Sequence, residues 1–151
     1  MGRKRLIKTA RRKLAYLKGR LARLKLYMKK APRDFAGAEV ELYAVERLFT
    51  VVVQCAVDAA ILTLLARGYE QPDAAKRAFS ELATQGILHP DFGARLTERV
   101  RERNRLVHLY DQMTPGEVYA AAQAALMDFP LYIERIYIAL AEIEQELQEE
   151  S

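Results

Sequence analysis

The 151-residue chain has no tryptophan, one cysteine, two histidines, seven glycines and five prolines, and each scarcity excludes something. A single cysteine, Cys55, cannot close an internal disulfide, so the chain is not a secreted disulfide scaffold. Its neighbours Val51, Val52, Ala56 and Ala59 mark Cys55 as a small buried hydrophobe rather than a reactive thiol. No His, Cys or carboxylate set has the spacing of metal ligands, so neither a metal nor another cofactor is expected. The glycines form no phosphate-cradling loop. Strand alternation, internal repeats and low-complexity segments are also missing.

Long apolar runs are scarce too. The longest, Leu48 to Ala66, approaches membrane-spanning length but carries Gln54 and Asp58 near its centre, where a lone carboxylate is costly in lipid. It reads as a buried central helix. The basic start Met1-Gly2-Arg3-Lys4-Arg5 is followed by no apolar segment of signal-peptide length, because Lys or Arg recurs at almost every turn through Lys30. These features predict a cytoplasmic protein with no membrane association.

Acidic residues are absent from residues 1–30, which hold thirteen Lys and Arg; the remaining 121 residues hold eleven basic and all twenty acidic groups. The overall charge of +4 therefore conceals a strongly basic start and an acidic remainder. The basic segment reads either as an electrostatic site for RNA or another polyanion, or as the solvated face of the first helix.

Periodicity predicts helices throughout. Leu6 or Ile7, Ala10, Leu14, Leu17, Leu21, Leu24 and Met28 form one stripe of a basic amphipathic helix over about 4–30, stopped before Pro32. A second helix covers Ala38 to Arg67 and ends at Gly68; its middle is apolar nearly all round, which places it at the bundle centre or against a second subunit. Pro72 opens a short third helix ending at Gly86. The fourth follows His89-Pro90-Asp91 and runs from about Phe92 to Leu109. Thr114-Pro115-Gly116-Glu117 reads as an N-cap with a capping box for the last helix, with a kink expected at Pro130. The predicted fold is all-α, an up-and-down bundle of four long helices and one short one forming a single domain over 1–151.

The chemistry concentrates in Arg103-Asn104-Arg105-Leu106-Val107-His108-Leu109-Tyr110-Asp111. Asn104 and His108 are four apart and would share a helical face, with Arg103 one position round, while Leu106 and Val107 would pack inward. RNA cleavage without a metal needs a base for the ribose 2′-OH, an acid for the leaving oxygen and a cation for the developing phosphorane charge. His108 suits proton transfer and Arg103 the cation, since a guanidinium stays charged and presents a planar fork to phosphate oxygens. Asn104 is a candidate for orienting phosphate or ribose. Asp58, four residues from Gln54 on an apolar helix, needs a partner; it either supports Arg103 or His108 or forms a structural ion pair. Alternating Arg99, Arg101, Arg103 and Arg105 with Glu98 and Glu102 also fits a solvated charged face.

The order Arg, Asn, three residues, His, one residue, Tyr resembles the signature of HepT, the toxin half of prokaryotic HEPN/MNT toxin–antitoxin pairs. The resemblance extends from about Ala44 to Leu140, through Ala-Val-Glu-Arg at the start of a long apolar helix and the Thr-Pro-Gly-Glu-Val-Tyr restart. It implies a HEPN fold in a symmetric dimer that brings two signature helices to one cleft, so that two histidines serve as acid and base. It implies a metal-independent endoribonuclease leaving 2′,3′-cyclic phosphate ends. It also implies silencing by an MntA-like minimal nucleotidyltransferase antitoxin, which transfers AMP from ATP to Tyr110. The alternative is a non-catalytic HEPN module that binds nucleotide or RNA as subunit or substrate of such a transferase, and a purely structural helical scaffold is the third reading.

Overall fold

The computed structural model describes residues 2–108 and 113–150. Helix α1 (Arg3–Lys30) buries Leu6, Ile7, Ala10, Leu14, Leu17, Leu21, Leu24 and Met28 along the predicted stripe, and Ala31 is extended before Pro32, as a residue preceding proline prefers. Helix α2 (Glu39–Ala66) ends where Gly68 takes φ +95°, a conformation that L side chains adopt only with strain. The Arg3 Nε donates to the Ala66 carbonyl at 2.7 Å, satisfying one of the end carbonyls of α2.

The third helix starts later than its sequence predicts. Pro72 does not open it; Ala74 is extended, and a 3-10 turn at Ala75–Arg77 leads into α3 (Ala78–Thr84). Helix α4 (Pro90–Val107) has Pro90 in its first turn and His89 as N-cap, whose Nδ1 accepts from the Asp91 N–H at 3.2 Å. Helix α5 (Pro115–Glu149) runs unbroken through Pro130. The Thr114 hydroxyl accepts from the Glu117 N–H at 3.1 Å, and the Glu117 carboxylate accepts from the Thr114 N–H at 3.0 Å. This is the reciprocal cap read from the sequence.

The four long helices and one short one pack around one apolar core. Helix α2 lies at its centre, touching α1, α3, α4 and α5. It is long and apolar enough to cross a bilayer by length and composition, yet 56% of its most apolar window is buried inside the bundle. Phe79 and Phe129 each meet Tyr132 edge-to-face, and the buried Tyr132 hydroxyl donates to the Ala56 carbonyl at 2.6 Å. Burial, together with the charge of Asp58, pushes the Tyr132 phenol well above its ordinary range. Gly93 lets α4 approach α3, since a Cβ there would meet the Ala83 Cβ at 3.0 Å and the Phe79 carbonyl at 3.1 Å. The core thereby fixes one face of α4 and leaves its end at the surface.

Candidate functional site

Arg103 points from α4 toward α2, where its Nη1 donates to the Gln54 Oε1 at 2.7 Å. The Gln54 Nε2 in turn donates to the Asp58 Oδ1 at 2.9 Å, and Lys13 of α1 pairs with the Asp58 Oδ2 at 3.3 Å. Each link has a reason. An amide has one accepting and one donating end, so the carboxylate of Asp58 fixes which end faces Arg103. A neutral amide orients the guanidinium without cancelling its charge, and Lys13 compensates Asp58. The chain Lys13–Asp58–Gln54–Arg103 therefore holds one cation in place and leaves it available to an anion.

The other arginines of α4 are treated differently. Arg99 pairs with Glu102 and reaches the Asp128 Oδ2 at 3.7 Å, while Arg95 reaches the Asp128 Oδ1 at 3.5 Å. The side chains of Arg99 and Asp128 are only 14% and 11% exposed, so this network is a largely desolvated tie between α4 and α5. Burial raises the Glu102 carboxyl above its ordinary range, opposed by the Arg99 guanidinium. Arg101 pairs with Glu98, and Arg105 with the Glu117 carboxylate at 3.0 Å. The Thr114 N–H and Arg105 hold the Glu117 carboxyl below its ordinary value. Among the described residues, Arg103 alone of the four alternating arginines is held by a neutral group.

His108 lies at the open end of this frame. It is the C-cap of α4, extended at φ −89° and ψ 126° and exposed, with its N–H bonded to the Asn104 and Arg105 carbonyls at 3.2 and 3.3 Å. The helix stops at Val107, and His108 follows it with the last α-helical bond, from its N–H to the Asn104 carbonyl. The half-buried Asn104 side chain has no hydrogen bond among the described residues. Val107, expected to pack inward, is 57% exposed, whereas Leu106 packs against the core. Tyr110 and Asp111 lie outside the described residues. A cavity of about 330 Å³, lined by Tyr43, Glu46, Leu106 and Met113, opens beside the helix end; burial raises the Glu46 carboxyl.

Sequence reasoning named Arg103, His108 and the Gln54/Asp58 pair, and of its two readings of Asp58 the structure has the ion pair, with Lys13. Gln54, not Asp58, touches Arg103. Lys13 was missed as a member of the site, because nothing in its own segment distinguishes it from the other cations of α1. Within one chain, Arg103 and Gln54 are joined by a hydrogen bond, and among the described residues the His108 side chain makes no hydrogen bond to either.

Comparison with known proteins gives consistent results. The family model described as Ribonuclease HepT-like matches residues 17–136. The chain is 33% identical over 115 residues to the tRNA nuclease HepT of Aphanizomenon flos-aquae, covering 75% of this chain and 77% of that protein. Its fold resembles the tri-AMPylated HEPN toxin of Shewanella oneidensis, solved in complex with MNT antitoxin, at a TM-score of 0.77 and 20% identity, with 88% and 97% of the two chains covered. A toxin–antitoxin structure with AMP-PNP gives a TM-score of 0.72 at 20% identity, covering 88% and 98%. YutE of Bacillus subtilis, described as a cytosolic protein of unknown function, gives 0.69 at 22% identity, covering 93% and 92%.

Proposed function

Because the chain belongs to the HepT-like ribonuclease family, we propose that it is the toxin of a HEPN/MNT toxin–antitoxin system, a cytoplasmic endoribonuclease that works without a metal. The observation that carries the reading is Arg103, oriented by the Gln54 amide with its charge intact, five residues before an exposed histidine. The relative named as a tRNA nuclease makes tRNA the first substrate to test.

In the proposed reaction, His108 accepts the proton of a ribose 2′-OH as its oxygen attacks the adjacent phosphorus. The bond to the 5′-oxygen breaks, and that oxygen takes a proton from His108 of the partner subunit. The products are a 2′,3′-cyclic phosphate and a 5′-hydroxyl. Arg103 stabilises the charge that builds on the non-bridging oxygens, where a preorganised donor is most effective, and Asn104 orients the phosphate. A homodimer supplies the second histidine. Its interface is supported by the half-buried stripe of α2, Val51, Ile61, Leu62 and Leu65, which adjoins Gln54 and Asp58 at helical spacing.

Tyr110 is the proposed acceptor of AMP: its phenolic oxygen attacks the α-phosphorus of ATP on a nucleotidyltransferase antitoxin and pyrophosphate leaves. The structurally similar Shewanella toxin, described as tri-AMPylated and bound to MNT antitoxin, supports this. A phosphate added two residues from His108 places negative charge where RNA phosphate must bind, so modification silences the enzyme.

The test is cleavage of tRNA in EDTA by wild-type protein and His108→Ala, with product ends identified. Loss of about 10²–10⁴-fold in rate is expected, with cyclic phosphate ends from the wild type. Equal cleavage by both proteins would overturn the role of His108. RNA bound but left intact by both would instead favour the non-catalytic module.

A further inference from the structure

Helix α1 carries its charge in a pattern that its own stability does not explain. Arg3, Lys4 and Arg5 occupy the first turn, and no acidic residue is there. Cations at a helix N-terminus oppose the helix dipole. Among the described residues, Lys8, Lys18 and Lys25 have neither a hydrogen bond nor an ion pair and are exposed. The turns before residue 17 also precede the family match.

These charges are ordered in space. Lys4, Lys8, Arg11, Lys18, Lys25 and Lys29 fall at alternating steps of three, four and seven, so they lie along one edge of α1, with the small Ala15 and Ala22 between them. That edge faces α5. At one end Lys4, Lys8, Arg11 and Arg12 line a cavity of about 510 Å³ with Glu144. At the other, Lys18 and Lys25 flank a cavity of about 520 Å³ whose far wall is Pro130, Ile133, Glu134 and Tyr137. The two cavities lie one after the other along the seam between the antiparallel helices α1 and α5. The Glu144 carboxylate is neutralised by Arg11, with bonds of 2.8 and 3.2 Å; that guanidinium holds its carboxyl below the ordinary value. Glu134 is therefore the remaining acid in a groove edged by lysines.

We propose that the α1/α5 groove binds a single-stranded segment of the substrate RNA, with the lysine edge of α1 following the phosphates and Tyr137 offering a ring on which a base stacks. The inference rests on RNA being the substrate and adds a second contact region. A positive edge tracking the backbone beside an aromatic platform is the combination that single strands require, because every base has a stackable face and every nucleotide a phosphate. A folded acidic protein would gain from the lysines but would not need the ring and apolar wall between them. The groove lies on the edge of α1 opposite Lys13, which belongs to the Arg103 chain, so a strand bound there occupies none of the groups proposed for cleavage.

The test uses the full-length His108→Ala protein, a labelled single-stranded RNA oligonucleotide long enough to span the groove, and the same RNA annealed to its complement. Lys18→Gln with Lys25→Gln should reduce the slope of log affinity against log salt by about 1.4, at roughly 0.7 per cation removed from a single strand. Tyr137→Ala should weaken single-strand binding about tenfold and duplex binding less. In the active background, both sets should raise KM for long RNA and leave cleavage of a dinucleotide unchanged. Unaltered affinity and salt slope in folded variants would overturn the proposal, as would variants that alter only oligomeric mass or binding to phosphatidylserine vesicles. If the wild type cleaves neither tRNA nor long RNA, the cleavage reading has failed while the binding comparison still stands.

Discussion

On α4, Arg99, Arg101 and Arg105 end on carboxylates and Arg103 on the Gln54 amide, whereas along the α5 edge of α1 Lys8, Lys18 and Lys25 end in solvent. Both regions are rich in cations, but they spend side-chain entropy differently. A tied arginine has lost its freedom on folding, so it can meet a transition state without further ordering. A free lysine keeps its freedom and contributes mainly salt-dependent attraction. On the proposed function the difference gives geometry to α4 and affinity to α1, with Lys13 as the member of α1 that crosses over to Asp58.

The largest expected break in this comparison comes from Asp128. Asp128→Ala takes the α5 partner from Arg99, which keeps Glu102, and should cost about 2 kcal/mol in folding stability, as loss of a contact to a charged group does; chemical denaturation measures it. No α1 lysine substitution should approach that. Gln54→Leu keeps the helix but frees Arg103, and we expect about a tenfold fall in cleavage rate, roughly 1.4 kcal/mol of transition-state stabilisation, with RNA affinity little changed. Asp58→Asn should fall between Gln54→Leu and wild type, because its amide can still accept from Gln54 while Lys13 loses its counter-charge. An Asp58→Asn protein as slow as Gln54→Leu would mean that the ion pair, rather than the amide orientation, sets Arg103.

The smallest effect is a matter of pH. The Glu117 carboxyl is lowered by the Thr114 N–H and by Arg105, so the folded state binds its proton less readily than the unfolded state. Its stabilisation is therefore full above the ordinary glutamate value of 4.5 and is lost as pH falls through the lowered one. Glu117→Gln should flatten the acid side of the stability profile within that window, and an unchanged profile would remove Glu117 from the link between α4 and α5.

Much of this was legible in the sequence because it depends on local rules. The stripe of α1, the Gly68 stop and the Thr114 capping box each follow from contacts within a few residues, and the structure has them where they were expected. Pro72 misled because proline tolerates a helix start without requiring one, and Ala74 remains extended. The fourth helix was read to about Leu109 and stops at Val107 with His108 as its cap; no glycine or proline marks that stop. The Arg103 partner was half legible, since the Gln54/Asp58 spacing named the pair but only packing decides which member reaches α4. Lys13 was not legible at all, because its selection among thirteen basic neighbours is made by the register between α1 and α2.

The central claim is that Arg103 is a fixed catalytic cation rather than a contributor to general RNA attraction. Single-turnover cleavage by Arg103→Ala at saturating RNA, measured with its RNA affinity on folded protein, tests this most directly. The account predicts a rate loss of about 10²–10³-fold with affinity within about twofold and the salt slope reduced by no more than about one contact. A preserved rate at saturation, with the loss confined to affinity, would contradict it.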